Sequence, residues 1–381
     1  MKKIITFVSL AMFSTFQAFS QGIIINHTCT KIEQIPESAI QTAKQNLHIA
    51  YGHTSHGSQL TEGMDGLVTF MNGKGYTKNL YSWNNGGTAG ALDLHDSAMD
   101  GDVGYYPDWV NNTRNYLGAV NPVTGRGTGA NADVNVIIWS WCGQVTGKYQ
   151  EGTLQSEYIN PMVKLETDYF GIKFVYMTGH LDHAQDADNK AANKVIRDHC
   201  LQNNKILYDY ADIESYNPDG NFFQFADYDC NYYASATGNL LRNWATEWQN
   251  SHTVNVDWYS CVSAHTEPLN ANQKAYAAWW LWARLAGWNL NTGIKDVEQN
   301  SQIVSVFPNP ANDKITLVTL QIKKESILTI CNINGQELIG RQIKDSNTQI
   351  DISNLTSGVY FLKLITEKTV EVRKIIKKAV L

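Results

Sequence analysis

The sequence predicts an α/β protein: a three-layer, doubly wound parallel sheet followed by a small C-terminal all-β sandwich. Two patterns carry that expectation. Over residues 23–290, short apolar runs of strand length alternate with segments of helical spacing, which is how a parallel sheet covered on both faces reads. From Val304 to Leu381 the runs alternate apolar with polar and are separated only by turn residues, the pattern of a sandwich.

Residues 1–20 open with Lys2 and Lys3, continue through an apolar run from Ile4 to Phe13 and close on Ala18-Phe19-Ser20, the form of a secretory signal peptide. Strands are expected at Leu47–Tyr51, Asn79–Trp83, Val134–Trp141, Ile172–Met177 and Lys205–Tyr210. Helical spacing marks Gln59–Met71, Trp109–Leu117, Leu154–Tyr169, Asp188–Leu201 and the closing Ala- and Trp-rich segment Asn272–Trp288. Asn84–Pro107 and Asn217–Trp258 read as long functional loops. A polar linker is expected over 291–303, and beyond it strands at Lys314–Leu320, Ser326–Asn332, Gln349–Ile352, Gly358–Ile365 and Val370–Ile376, with Asn334-Gly335 as a hairpin turn.

Composition narrows the function. The chain of 381 residues carries a net charge of -6 with no basic block, which argues against nucleic acid and anionic membrane surfaces as partners. Beyond the signal segment, no apolar run is long enough to span a bilayer. The 11 tryptophans and 19 tyrosines suit either a core or a sugar-stacking surface. Six cysteines lack any Cys-x-x-Cys spacing, and Cys230 with Cys261 is the expected bridge.

The chemistry is expected at Leu47–Gln59, where an apolar strand passes through a glycine-bearing turn into a helix. A serine there is exposed at the carboxyl edge of the sheet, beside helix N–H groups that can hold an oxyanion. Ser55 is the first candidate and Ser58 the second. A rival reading gathers His53, His56, His180, His183 and His265 around a metal ion that activates water. A third reading is a non-catalytic sugar-binding protein with Trp83, Trp109, Trp139 and Trp141 as platforms.

Two resemblances sharpen these options. His53-x-Ser55-x-Gly57-x-Gln59, together with Ala264-His265-Thr266-Glu267-Pro268 ahead of the last helix, resembles the divergent nucleophile and histidine blocks of the SGNH (GDSL-like) hydrolases. The resemblance implies an ester hydrolase with Ser55 as nucleophile and His265 as base, needing no cofactor. It also implies an acid three residues before the histidine, where this chain has Val262. Asp257, a backbone carbonyl or no third member at all are the alternatives. Candidate oxyanion and substrate-binding residues are Gly57, Gly101, Gln144, His53 and His180, with Gly86 and Gly87 as other glycines for the same role. The substrate expected is a polysaccharide or small molecule bearing acyl or acetyl esters.

The tail offers a more specific match. Phe307-Pro308-Asn309-Pro310-Ala311, Asn332-Ile333-Asn334-Gly335, Leu355-Thr356-Ser357-Gly358-Val359-Tyr360-Phe361 and Lys374-Ile375-Ile376-Lys377 together resemble the C-terminal sorting domain of the type IX secretion system. That resemblance implies the type IX machinery as a partner and a route through the periplasm and outer membrane to the cell surface or medium.

Overall fold

The computed structural model describes residues 22–289, 304–319, 326–332, 336–365 and 370–378; the expected signal peptide, the linker and the Asn334-Gly335 turn lie outside them. The chain divides after Asn289 into two units.

In the larger unit the elements run β1 (Ile24–Ile25), α1 (Glu37–Asn46), β2 (His48–Gly52), α2 (Ser58–Gly73), β3 (Trp83–Asn84), β4 (Leu92–His95), α3 (Asp108–Leu117), β5 (Val136–Trp139) and α4 (Val145–Gln150). They continue with α5 (Asn160–Asp168), β6 (Lys173–Met177), α6 (Asp186–Gln202), β7 (Ile206–Tyr208), α7 (Tyr210–Ile213), β8 (Asn231–Tyr233), β9 (Leu240–Asn243), α8 (Trp244–Ser251) and α9 (Pro268–Leu285). Seven strands form one parallel sheet in the order β1-β7-β6-β5-β2-β4-β3.

Alternation along the central strands sends side chains to two separate cores. Ile49 and Tyr51 of β2 and Val136 and Ile138 of β5 pack with α1, α2 and α9 on one face. Ala50, Ile137 and Trp139 pack with α3, α5 and α6 on the other. Both faces are therefore covered, and β5 reads as a continuous apolar run because it has no wet side. Strand order reverses between β2 and β5, so the crevice beyond their carboxyl ends is the natural place for a ligand.

Two features tie this face to that crevice. At Gly63 of α2 a Cβ would stand 2.1 Å from the Ala271 carbonyl oxygen of α9, so the two helices touch backbone to side-chain-free backbone. At Gly52, the last residue of β2, a Cβ would stand 2.4 Å from the Trp139 ring.

Several expected elements differ. The Asn84–Pro107 loop contains β4, and Asn217–Trp258 contains β8, β9 and α8. The strand expected at Asn79–Trp83 shrinks to the two residues of β3. Cys230 and Cys261 are free thiols rather than a bridge: Cys230 Sγ lies 3.2 Å from Thr266 Oγ1, and Cys261 Sγ faces the Pro268 carbonyl oxygen and Asn272.

The smaller unit pairs strands β10 (Val304–Phe307), β11 (Lys314–Thr319), β12 (Ser326–Cys331), β13 (Glu337–Ile343), β14 (Asn347–Asp351), β15 (Gly358–Ile365) and β16 (Val370–Lys377). They form two antiparallel sheets, β10-β11-β14 and β13-β12-β15-β16, closed over Ile315, Leu317, Leu328, Ile330, Leu362 and Ile375. The sequence motifs at its two ends meet here. Asn309 donates to the Lys374 carbonyl at 2.7 Å and accepts from the Ile376 N–H at 2.8 Å.

Candidate functional site

The residues between β2 and α2 enter helical geometry one turn early, as a single 3-10 turn over Ser55–Gly57. Ser55 opens it with φ 27°, a sparsely populated backbone region for a residue with a Cβ, and its side chain is exposed. Across 210 residues of sequence, His265 stands in the short loop before α9 with φ 64°, also exposed. Ser55 Oγ and His265 Nε2 are hydrogen-bonded. Two strained residues from different ends of the unit thus meet at the carboxyl edge of the sheet.

Ser58 turns the other way, its hydroxyl donating to the Ser55 carbonyl at 2.8 Å. Asp257 also lies elsewhere. It is exposed, accepts the Thr253 N–H at 2.8 Å, and lines a surface hollow with Phe70, Met71, Lys74 and Tyr276. Those α2 residues are at the far end of the helix, about 20 Å along its axis from the turn that carries Ser55. Val262 is 72% exposed, so its position faces solvent rather than the imidazole. Among the described residues no carboxylate or carbonyl meets His265 Nδ1, and the arrangement is a pair rather than a triad.

The residues expected around the oxyanion take structural roles instead. The Gly57 N–H is bonded to the Thr54 carbonyl at 2.8 Å, and a Cβ at Gly57 would stand 2.1 Å from Ser140 Oγ. Gly57 serves close approach to β5. Gln144 is engaged at both ends: its Nε2 donates to Asp102 Oδ2 at 3.2 Å and its Oε1 accepts the Cys142 N–H at 2.9 Å. Gly101, with φ 85° and open space around it, stands at the turn into Asp102. Asp102 is the residue that reaches inward, accepting Thr54 Oγ1 at 2.9 Å and the Gly104 N–H at 3.0 Å. It pins together the loops after β2, β4 and β5.

The histidines do not converge on one point. His53 is buried and its Nε2 lies 2.8 Å from Asp96 Oδ1. His183 stacks on Tyr233, with its Nε2 3.0 Å from the Ser235 carbonyl oxygen. The other three form a stack, His56 lying 4.0 Å from His180 and 4.6 Å from His265 between ring centroids. Imidazole lone pairs lie in the ring planes, so rings stacked face to face do not direct them at a shared ion. Among the described residues, metal-ligand spacing occurs instead at His48, Asp93 and Asp133, near the opposite ends of the strands.

His56, in the middle of the stack, was named in the sequence only as a possible ligand. Its Nδ1 lies 3.6 Å from Cys142 Sγ, and Tyr228 meets it edge-on. Burial, reinforced by His180, His265 and Lys274, pushes its pKa down to about 3. It is a neutral wall of the site. His180 Nδ1 donates to the Leu181 carbonyl at 2.6 Å, and its Nε2 faces Gly143. Gly143 itself is exposed with φ 78°, and among the described residues nothing accepts its N–H. Of the proposed sugar platforms, Trp109, Trp139 and Trp141 are buried in the core and only Trp83 is partly exposed.

Residues 305–378 match the family model described as a secretion system C-terminal sorting domain. No curated protein matches the chain. Among solved structures, PorZ, a surface component of the type IX secretion system of Porphyromonas gingivalis, shares 20% identity over 20% of this chain and 11% of its own, with a TM-score of 0.17. An endo-β-1,4-mannanase from Thermotoga petrophila shares 13% identity over 65% of this chain and 48% of its own, with a TM-score of 0.16. The chain spans less than half the length of either protein.

Proposed function

With a C-terminal type IX sorting domain that marks the chain for export to the cell surface or medium, we propose that the larger unit is a secreted serine ester hydrolase of SGNH type. One observation carries the reading: the hydrogen bond between Ser55 Oγ and His265 Nε2 at the switch point of a parallel sheet. His265 takes the Ser55 proton as the hydroxyl attacks an ester carbonyl, then returns it to the leaving alcohol. The first N–H groups of the turn at Ser55 have no partner within the helix and suit the oxyanion. With Gly57 and Gln144 engaged elsewhere, the Gly143 N–H is the second donor.

The substrate class follows from surroundings rather than from a bound ligand. Tyr105 and Tyr106, 59% and 45% exposed, stand on the loop that Asp102 ties to the site. Exposed aromatic rings beside an exported esterase suit acyl or acetyl groups on a polysaccharide or a small acylated sugar. The test is hydrolysis of a chromogenic acetate together with labelling by a fluorophosphonate, both with and without chelator. Turnover and labelling that survive chelation and vanish in Ser55→Ala are expected. Turnover retained in Ser55→Ala would refute the reading, and turnover abolished by chelation would replace it with metal-assisted hydrolysis.

A further inference from the structure

Ala264, the residue before the base, is held on both sides by one helix. Its N–H donates to Glu62 Oε2 at 2.8 Å, and its carbonyl accepts Gln59 Nε2 at 2.5 Å. Both side chains belong to α2, whose leading turn carries Ser55. The helix that presents the nucleophile also grips the loop of the base.

Gln59 is itself fixed from behind. It is fully buried, and its Oε1 accepts from Lys274 Nζ and from the Tyr210 hydroxyl, the latter at 2.7 Å. An ammonium can only donate, so the Gln59 atom facing Lys274 is oxygen and the atom facing Ala264 is nitrogen. Lys274 and Glu214 are both fully buried, paired at 2.6 Å, and Glu214 also accepts the Leu181 N–H at 2.9 Å. The Lys274 ammonium sits 3.9 Å from the centroid of the Tyr210 ring, and the Tyr210 hydroxyl lies 2.6 Å from the His56 carbonyl oxygen. A buried charge pair thus sets one amide, and that amide sets the backbone next to His265.

We propose that Gln59 is the positioning residue of the dyad, aligning His265 with Ser55 through the Ala264 carbonyl, and that Lys274 with Glu214 holds Gln59 in its working orientation. The inference rests on the hydrolase reading and adds to it a component that touches no substrate. The positive φ of His265 explains why such a hold is needed, since an exposed residue in that region relaxes unless its neighbours over-determine it.

The full chain carrying Gln59→Glu tests this. The replacement is isosteric and, as a carboxylate, still accepts from Lys274 and Tyr210 but cannot donate to Ala264. Expected are a fall in kcat of about 100-fold with KM within about twofold, and an equal fall in the rate of fluorophosphonate labelling at Ser55. A purely structural role would instead move the unfolding midpoint and leave the kcat of the folded fraction intact. Should Gln59→Glu fail to fold, Gln59→Met, which introduces no second carboxylate, carries the same expectation. Wild-type labelling and turnover in a folded Gln59 variant overturn the proposal. Absence of labelling in the wild-type protein overturns the hydrolase reading and this inference with it.

Discussion

Replacing Lys274 by methionine isolates the energetics of the buried pair. The substitution keeps most of the apolar volume and removes the one cation that, among the described residues, pairs with Glu214, leaving a fully buried carboxylate with the N–H of Leu181 as its remaining described donor. An uncompensated buried charge of that kind destabilises by about 3–5 kcal/mol. Against a total stability of about 5–15 kcal/mol, that is a fifth or more of the margin. At about 3 kcal/mol per molar, the urea midpoint should fall by more than about 1 M. Adding Glu214→Gln removes the orphaned charge and keeps an acceptor for Leu181, so the double variant should recover to within about 1–2 kcal/mol of wild type. All 11 tryptophans precede Asn289, so tryptophan fluorescence reports the larger unit alone. A single variant losing less than about 1 kcal/mol, or a double variant no better than the single, would refute the argument that the charge is uncompensated.

Ser55→Ala and His265→Ala should each lower kcat by about 1,000-fold or more, with the double variant adding little, while Asp257→Ala stays near wild type; losses that multiply would show separate steps. The depressed pKa of His56 makes stability pH-dependent in a definite direction: between its ordinary value of about 6.5 and about 3 the unfolded chain takes up a proton that the folded chain refuses. Stability from this source is therefore full above about pH 6.5 and falls as pH drops, and Tm measured from neutral to acid pH should fall less steeply in His56→Gln. Gly57→Ala puts a methyl group 2.1 Å from Ser140 Oγ and 2.5 Å from His53 Cβ, and should lower stability by about 1–3 kcal/mol along with turnover, as read by urea titration and acetate hydrolysis.

What the sequence made legible, and what it hid, follows from the physics of each element. β5 and the inner residues of β2, β6 and β7 show as apolar runs because both their faces are buried. β4 does not: it reads Leu-Asp-Leu-His, since Asp93 is buried against His48 at 2.7 Å and its polarity masks the strand. Ser55 and His265 could be picked out because each sits beside a boundary with its own signal, a glycine-bearing turn and a proline-started helix. Their supports could not. Gln59 and Lys274 are polar residues that no motif marks, and Glu214 lies in a stretch with no motif; only the fold brings them together. The engagement of Gln144 is hidden too, because an amide after a strand looks available until Asp102 and the Cys142 N–H are placed around it.

The contact at Gly63 gives the site a mechanical character. Ser55 rides on the leading turn of α2 and His265 on the loop that feeds α9, and these two helices meet where glycine brings a would-be methyl group to 2.1 Å of the Ala271 carbonyl. The gap between Ser55 and His265 is therefore gauged, several residues away, by an atom that the chain omits. Any side chain at residue 63 acts as a wedge between two rods, and the opening it forces at the fulcrum appears at the tip as a longer reach from hydroxyl to imidazole. Substitutions there would separate Ser55 from His265 without altering either residue, so their spacing is heritable through a position that no inspection of the crevice would single out.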